Sequence, residues 1–338
     1  MNQRPIVTIE NLGVSFHTPK GPVAALRGVD LQLQAGKTLA LVGESGSGKS
    51  VTSLALMGLL PKESARITSG RILLRNPQTG SEQDLALAPE STLRTLRGGH
   101  IAMIFQEPMT SLNPLYRVGE QISETLRLHR GLNRAEARKR AKELLDLVGI
   151  PAAEKRLDAY PHELSGGMRQ RVMIAMAIAC EPAVLIADEP TTALDVTVQA
   201  QILDLLRELQ QRIGMAMLFI THNLGVVADI ADEVAVMYGG RIVENGPTAT
   251  LLSASNHPYT RGLLCSMPPA VIDENTPLRL PALPGNVVDP RNPPPGCAFA
   301  PRCYARQPVC EQSVPTLEHT DAPNHLTRCF RWRETTHA

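Results

Sequence analysis

The 338-residue chain has almost no net charge: 34 Lys+Arg stand against 33 Asp+Glu, giving +1 at pH 7. That balance argues against a general nucleic-acid or acidic-membrane binder. Aromatic residues are few, 3 % with a single Trp. The one basic run, RLHRGLNRAEARKRAKELL at 127–145, therefore has no aromatics beside it for base stacking. Its interleaved glutamates and apolar stripe read instead as the solvated face of an amphipathic helix, and no nucleic-acid partner is expected. Long apolar runs are also missing. The most apolar stretch, Val172 to Ala187, is too short to span a bilayer and is cut by Glu181 and Pro182. The opening MNQRPIVTIENLG lacks a basic, apolar, small-residue signal pattern. There is no internal repeat. The expectation is a cytoplasmic, soluble chain, long enough for a full core and more than one module, whose membrane part, if it has one, lies in other subunits.

What is present alternates between strand and helix signals. VTIENLGVSF, AALRGVDLQLQAG and TLALVG read as strands within residues 6–45, the last running into a glycine-rich loop and a helix over 51–60. GRILL and IAMIF are further strands separated by a polar insertion. From 116 to 180 the period turns helical, most clearly over Arg134–Val148 and Met168–Cys180. Beyond 183 come VLIAD, a helix over 196–212, MLFIT, a helix over 223–230 and EVAVMYGGRIVEN. The last eighty or so residues are Pro-rich (PALPGNVVDPRNPPPG) and hold four of the six cysteines.

Four strings in fixed order carry the chemistry: GESGSGKS at 43–50, LSGGM at 164–168, LIADEP at 185–190 and THN at 221–223. The first fits the phosphate-loop pattern G-x-x-x-x-G-K-[ST]. Its three glycines and three serines let backbone N–H groups wrap an anion, with the positive end of the following helix behind them. Lys49 then reaches the β- and γ-phosphates of a nucleotide, and the Ser50 hydroxyl ligates Mg²⁺. LIADEP ends an apolar strand in two carboxylates whose side chains point opposite ways, so they divide two tasks. Asp188 holds the Mg²⁺ shell, and Glu189 orients and polarises the attacking water. Gln106, at the end of IAMIF, is placed to reach both metal and water, and His222 to contact the γ-phosphate. Phe16 either stacks on adenine or packs in the core.

These strings resemble the nucleotide-binding subunits of ABC transporters over roughly residues 6–255. The resemblance implies an α/β P-loop NTPase with a RecA-like core, an antiparallel β subdomain and a helical subdomain inserted at about 107–180. It makes Gly43, Glu44, Ser45, Gly46, Ser47, Gly48, Lys49, Ser50 and Val51 the Walker A contacts to ATP. Asp188 with Glu189 becomes Walker B and the catalytic carboxylate, Gln106 the Q-loop, His222 the switch histidine and TALD at 192–195, with Asp195, the D-loop. LSGGM matches the signature LSGGQ with Met168 in place of glutamine. In the family Ser165, Gly166 and Gly167 cap the γ-phosphate held by the opposite subunit, so a head-to-tail dimer with two sandwiched ATPs is implied.

FQEPMTSLNP at 105–114 and HPYTRGLL at 257–264 look like the dipeptide, oligopeptide and nickel importer group, and the likeness extends to about residue 330. The group implies an ATPase subunit on the cytoplasmic face of the bacterial inner membrane. It pairs with a second, different ATPase, drives two permeases and receives di- or oligopeptides through a periplasmic substrate-binding protein. EPMTSLNP would face the permease. Nickel chelates or another small solute are alternative cargoes, and a soluble ABC-type ATPase in translation or on DNA is the other class. Residues 256–338 form a C-terminal extension in this reading. Its Cys297, Cys303, Cys310 and Cys329 stand in a core-poor segment that needs a staple. The gaps of five, six and eighteen residues are unlike the close pairs usual for zinc. Some subunits of the group carry a 4Fe–4S cluster at a similar pattern, and such a cluster, zinc or free thiols are the readings left open. Cys180 and Cys265 read as small packing residues.

Overall fold

The computed structural model describes residues 4–76, 79–107, 111–192, 194–267 and 283–335. The chain divides into two compact units. One comprises the N-terminal residues up to Val7, Leu33–Thr38 and Leu74–Ile220; the other comprises Thr8–Gln32, Leu39–Leu73 and the chain from Thr221 onward.

The first unit carries three parallel strands, β6 (Ile101–Ile104), β7 (Val184–Asp188) and β8 (Ala216–Thr221). β7 lies between the others, pairing Ile101 with Val184 and Val184 with Ala216. VLIAD and AMLFIT are buried at every position, as strands covered on both faces must be. Their unbroken apolar sequence is what made them readable. The helical stretch resolves into Val118–Arg130, Arg134–Leu147 and Gly166–Ile178, with Leu126, Ala137, Ala141, Leu144, Leu145 and Val172 buried. Asn133 caps the middle helix by accepting from the N–H groups of Ala135 and Glu136, and Glu136 reaches back to the Asn133 N–H, a reciprocal box. Along the basic run Lys142 pairs with Asp146 at 2.9 Å, and Arg140 with Glu143 at 3.0 Å and Glu181 at 3.1 Å, all on the exposed face. The amphipathic-helix reading holds for 134–145 of that run, while 127–130 end the preceding helix and Gly131, at φ +65°, separates the two. The polar insertion contains a helix, Glu90–Leu96, and a short strand, Glu82–Asp84, that the sequence pattern did not single out.

The second unit holds β1 (Val7–Thr18), β2 (Gly21–Leu33) and β4 (Ala65–Arg75) in the lateral order β2-β1-β4. It also holds β3 (Thr38–Val42), which pairs in parallel with β9 (Glu233–Tyr238) and leads into the glycine loop and the helix Lys49–Leu56. EVAVMYGGRIVEN is two strands, β9 and β10 (Arg241–Pro247), in an antiparallel hairpin turning at Gly239 and Gly240. The Pro-rich C-terminal segment adds two-residue strands, β11 (Glu318–His319) and β12 (Leu326–Thr327), with β12 against β10. One apolar cluster joins Val42 of β3, Tyr238 of β9, Tyr259 of the helix Pro258–Cys265 and Phe299 of the C-terminal segment. Tyr238 and Tyr259 meet at 4.6 Å between ring centroids, and Phe299 stands edge-on to Tyr238 at 5.3 Å. A quarter of the chain's aromatic rings are thus spent fixing this corner, three of the eleven Trp, Tyr and Phe.

Cys180 is buried, as expected, but Cys265 is exposed. It closes the last turn of its helix, where the apolar neighbours Leu263 and Leu264 take the covered side.

The segment is also held by a buried acid. Glu244, 0 % exposed, accepts from the backbone N–H groups of Asn256 and His257, the latter at 3.2 Å, and His325 Nε2 lies 2.9 Å from its Oε1. Burial keeps His257 neutral, with its pKa lowered to about 4, and its Nδ1 accepts from the Tyr259 N–H. Glu244→Leu would strand two buried N–H groups and the His325 ring. It should cost about 3–5 kcal/mol, read as a fall in the urea midpoint; an unchanged midpoint would contradict this account.

Candidate active site

The loop 43–50 leaves β3 under tight steric limits. A Cβ on Gly43 would sit 2.2 Å from the Met237 carbonyl oxygen. At Gly48, whose φ is +112°, it would lie 2.8 Å from both Leu26 Cδ2 and Met237 Cε. Only glycine passes there, and the chain then enters the helix Lys49–Leu56. Lys49, 6 % exposed, donates to the carbonyls of Gly43 at 2.7 Å and Glu44 at 3.1 Å, curling the loop around its own ammonium. Ser47 Oγ is buried with no hydrogen-bond partner among the described residues. Ser45, Gly46 and Ser50 are exposed, and Val51 is half-buried. A loop of backbone donors at a helix start, with a buried lysine and an orphan hydroxyl, fits a polyphosphate.

Glu44 is held from a distance in sequence. Its N–H donates to the Tyr259 hydroxyl at 2.8 Å. Its carboxylate accepts both terminal nitrogens of Arg302, at 2.7 and 3.0 Å. Burial pushes the Tyr259 phenol well above its ordinary range, and the Glu44 carboxylate holds the Arg302 guanidinium charged. The sequence reading missed both partners. Tyr259 lay inside the quoted HPYTRGLL string, whereas nothing in the sequence marks Arg302, 258 residues from Glu44.

In the other unit, β7 ends in Asp188, 4 % exposed, followed by Glu189 in a left-handed conformation, φ +46°. A non-glycine residue there is held against its backbone preference, a kind of strain concentrated at functional sites. The Glu189 N–H donates to the Ile220 carbonyl at 2.9 Å. Its Oε2 accepts from Gln106 Nε2 and from Thr192 Oγ1, each at 3.0 Å. Gln106 and Glu189, 83 residues apart, are therefore brought together. Thr192 is a partner the sequence reading did not name. Pro108, Met109 and Thr110 of the FQEPMTSLNP string and Ala193 of TALD lie outside the described residues.

Ser165 caps the helix Gly166–Ile178, its Oγ accepting from the Met168 N–H at 3.3 Å. A Cβ at Gly166 would meet nothing within 4 Å, so this helix start is open. At Gly167 it would come 3.0 Å from Val198. Asp195 caps the helix Val196–Ile213, accepting from the Val198 N–H at 2.9 Å. His222 is exposed, directly after β8. Phe16 is half-buried near the end of β1, outside the main core.

Cys297, Cys303, Cys310 and Cys329 line one small cavity together with Phe299 and Phe330. Burial pushes the Cys297 thiol up to about 11 and Cys329 to about 12, with Cys303 and Cys310 adding to both shifts. The sequence thus grouped the four correctly, but the metal cage does not follow. Among the described residues no group of three or more His, Cys, Asp or Glu side chains is set to hold a metal ion.

Comparison with known proteins assigns the architecture. Residues 26–192 match the family model described as ABC transporter, and residues 243–310 match that of the oligopeptide/dipeptide transporter C-terminal region. The chain belongs to the ATP-binding subunits of ABC transporters, P-loop ATPases, and within them to those with the oligopeptide/dipeptide transporter C-terminal region. A putative peptide import ATP-binding protein of Brucella abortus (strain 2308) is 54 % identical over 337 residues, covering 99 % of each chain. The dipeptide transport ATP-binding protein DppD of Bacillus subtilis (strain 168) is 49 % identical, covering 96 % of this chain and 94 % of its own. Among solved structures, the dimeric ABC transporter cassette MJ0796 aligns at a TM-score of 0.62 and 28 % identity, over 72 % of this chain and 98 % of its own. Such ATPases work with membrane permease subunits, and among the described residues no helix is long and apolar enough to cross a membrane itself.

Gly48→Ala should lower ATP affinity at least about tenfold, because the methyl must displace Leu26 or Met237 and its φ is disfavoured. Titration calorimetry checks this; wild-type affinity would show that the loop tolerates a wider path.

Proposed function

We propose that this chain energises import of di- or oligopeptides, binding ATP in the 43–50 loop and hydrolysing it with Glu189 as the water-polarising carboxylate. The observation that carries the peptide cargo is the agreement with peptide-import ATP-binding proteins along the whole chain, C-terminal region included. On the family's motifs Gly43, Glu44, Ser45, Gly46, Ser47, Gly48, Lys49, Ser50 and Val51 cradle the phosphates and Phe16 lies against adenine. Ser50, Gln106 and Asp188 hold Mg²⁺. The ion neutralises charge on the β- and γ-oxygens when bound. Glu189 accepts the water's hydrogen bond, Gln106 fixes its carboxylate, and His222 meets the γ-phosphate. The Gln106–Glu189 contact supports this division.

Ser165, Gly166 and Gly167 serve the ATP of an opposite subunit, and Asp195 lies in the loop that follows the carboxylates. The open start of the Ser165 helix supports that use. The partner is a second, different ATPase subunit, and the pair drives two permeases supplied by a periplasmic binding protein. The site of work is then the cytoplasmic face of the bacterial inner membrane, where the chain is peripheral. Residues 1–255 form the ATPase domain, with 107–180 inserted, and 256–338 the extension.

Cys297, Cys303, Cys310 and Cys329 bind a 4Fe–4S cluster in this reading, supported by their shared cavity. Zinc is the alternative occupant of the same four thiols. A cluster would cross-link a segment with little core of its own.

Purification from native membranes in mild detergent should bring down two permeases and a second ATPase. Recovery with ribosomes or DNA-processing proteins instead would overturn the transport reading. In that complex Glu189→Gln should keep ATP binding and lose about 100-fold or more of turnover; a wild-type rate would remove its role. Cys303→Ser should bleach brown absorbance in anaerobically purified protein, and a colourless wild type containing neither iron nor sulfide would refute the cluster.

A further inference from the structure

Among the described residues, the chain beyond β10 bonds to Glu44 of the phosphate loop through Arg302 and Tyr259. Arg302 is 4 % exposed in its side chain and Glu44 25 %, and the two form a two-pronged ion pair at 2.7 and 3.0 Å. Arg302 is itself fixed. Its Nε donates to the Pro284 carbonyl at 2.8 Å, one terminal nitrogen reaches the Tyr238 hydroxyl at 3.3 Å, and its guanidinium lies over the Tyr238 and Phe299 rings at 5.8 Å. The third contact is the Glu44 N–H on the buried Tyr259 hydroxyl. The loop's own lysine holds the Glu44 carbonyl. Position 44 is thus pinned through N–H, C=O and carboxylate.

A carboxylate in a loop that receives a polyphosphate is an electrostatic liability. Left unpaired it repels the ligand, and left mobile it can fold onto Lys49. We propose that Arg302 is a positioning residue for nucleotide binding. By neutralising Glu44 and holding it to the C-terminal segment, Arg302 makes that segment part of the ATP site and sets its affinity. Arg302 belongs to the turn Ala300–Arg302, closed by the Ala300 N–H on Cys297 at 3.0 Å and the Cys303 N–H on Ala300 at 3.2 Å. The state of the thiol-bearing segment is therefore carried to the phosphate loop through one side chain. Burial of Arg302 and partial burial of Glu44 make the pair less screened than a surface pair would be. The planar fork also makes lysine a poor substitute.

The inference rests on the ATPase reading, and its test separates the two. ATP and ADP dissociation constants are measured by calorimetry on the full chain. Arg302→Met should weaken ATP about tenfold, and ADP less, because repulsion scales with ligand charge. Arg302→Lys should fall between, and adding Glu44→Gln to Arg302→Met should recover most of the lost ATP affinity. A merely structural role predicts equal losses for both nucleotides and no recovery. Unchanged ATP affinity in Arg302→Met, or equal losses without recovery, overturns the inference. Should Arg302→Met fail to fold, judged by its thermal transition, Arg302→Lys decides: about a threefold loss, larger for ATP than for ADP, supports it and an unchanged constant refutes it. Absence of ATP binding by the wild-type chain would overturn the ATPase reading itself.

Discussion

The passage of residues 43–48 beneath neighbouring backbone constrains everything around it. Gly43 comes so close to the Met237 carbonyl that a methyl would overlap it, and Gly48 does the same against Leu26 and the Met237 side chain. Loop shape is thus set by β9 and β2 as much as by its own residues. A phosphate cradle of backbone N–H groups works only if those groups are fixed before the anion arrives. The surrounding strands provide that fixity, and they in turn depend on the tyrosine–phenylalanine corner that the C-terminal segment completes.

Placement of the C-terminal segment changes how its composition is read. A Pro-rich stretch with few apolar residues looks like an appendage. In the fold it contributes Phe299 to the core, β12 to the edge of β10, His325 to the Glu244 network and Arg302 to the phosphate loop. These contacts are polar or aromatic, and they anchor a segment that has little apolar surface of its own. They also give the segment a route to nucleotide binding that does not need a large interface.

Around Glu189 the constraint is different in kind. Glu189 adopts a left-handed backbone at the exit of a strand whose five residues are all buried, and its carboxylate is fixed by Gln106 and Thr192. Strain of this sort persists only when the surroundings over-determine it. Here the rigid strand on one side, the Ile220 carbonyl on another and two side-chain donors supply that determination. Phosphoryl transfer asks for positioned charge rather than covalent participation, and a carboxylate held by two donors suits the role proposed for Glu189.

The chain's own order of residues marked most of the elements and the candidate chemistry. Unbroken apolar strings such as VLIAD and AMLFIT have one way to be buried, and GESGSGKS has few physical uses other than holding phosphate. The helices read over 134–148 and 168–180 are observed at 134–147 and 166–178, because helix-forming pattern is a local property. Contacts between distant residues were not legible. Gln106 meets Glu189 across 83 residues and Arg302 meets Glu44 across 258, and neither distance leaves a periodic trace. Exposure of Cys265 and the lack, among the described residues, of a ready metal-holding group at the four thiols were equally hidden, since both depend on which neighbours fill the space. Sequence determined which groups are available, because side-chain chemistry and local pattern are written residue by residue. Only the tertiary structure decided which of them meet, because burial and close approach are properties of the packed chain.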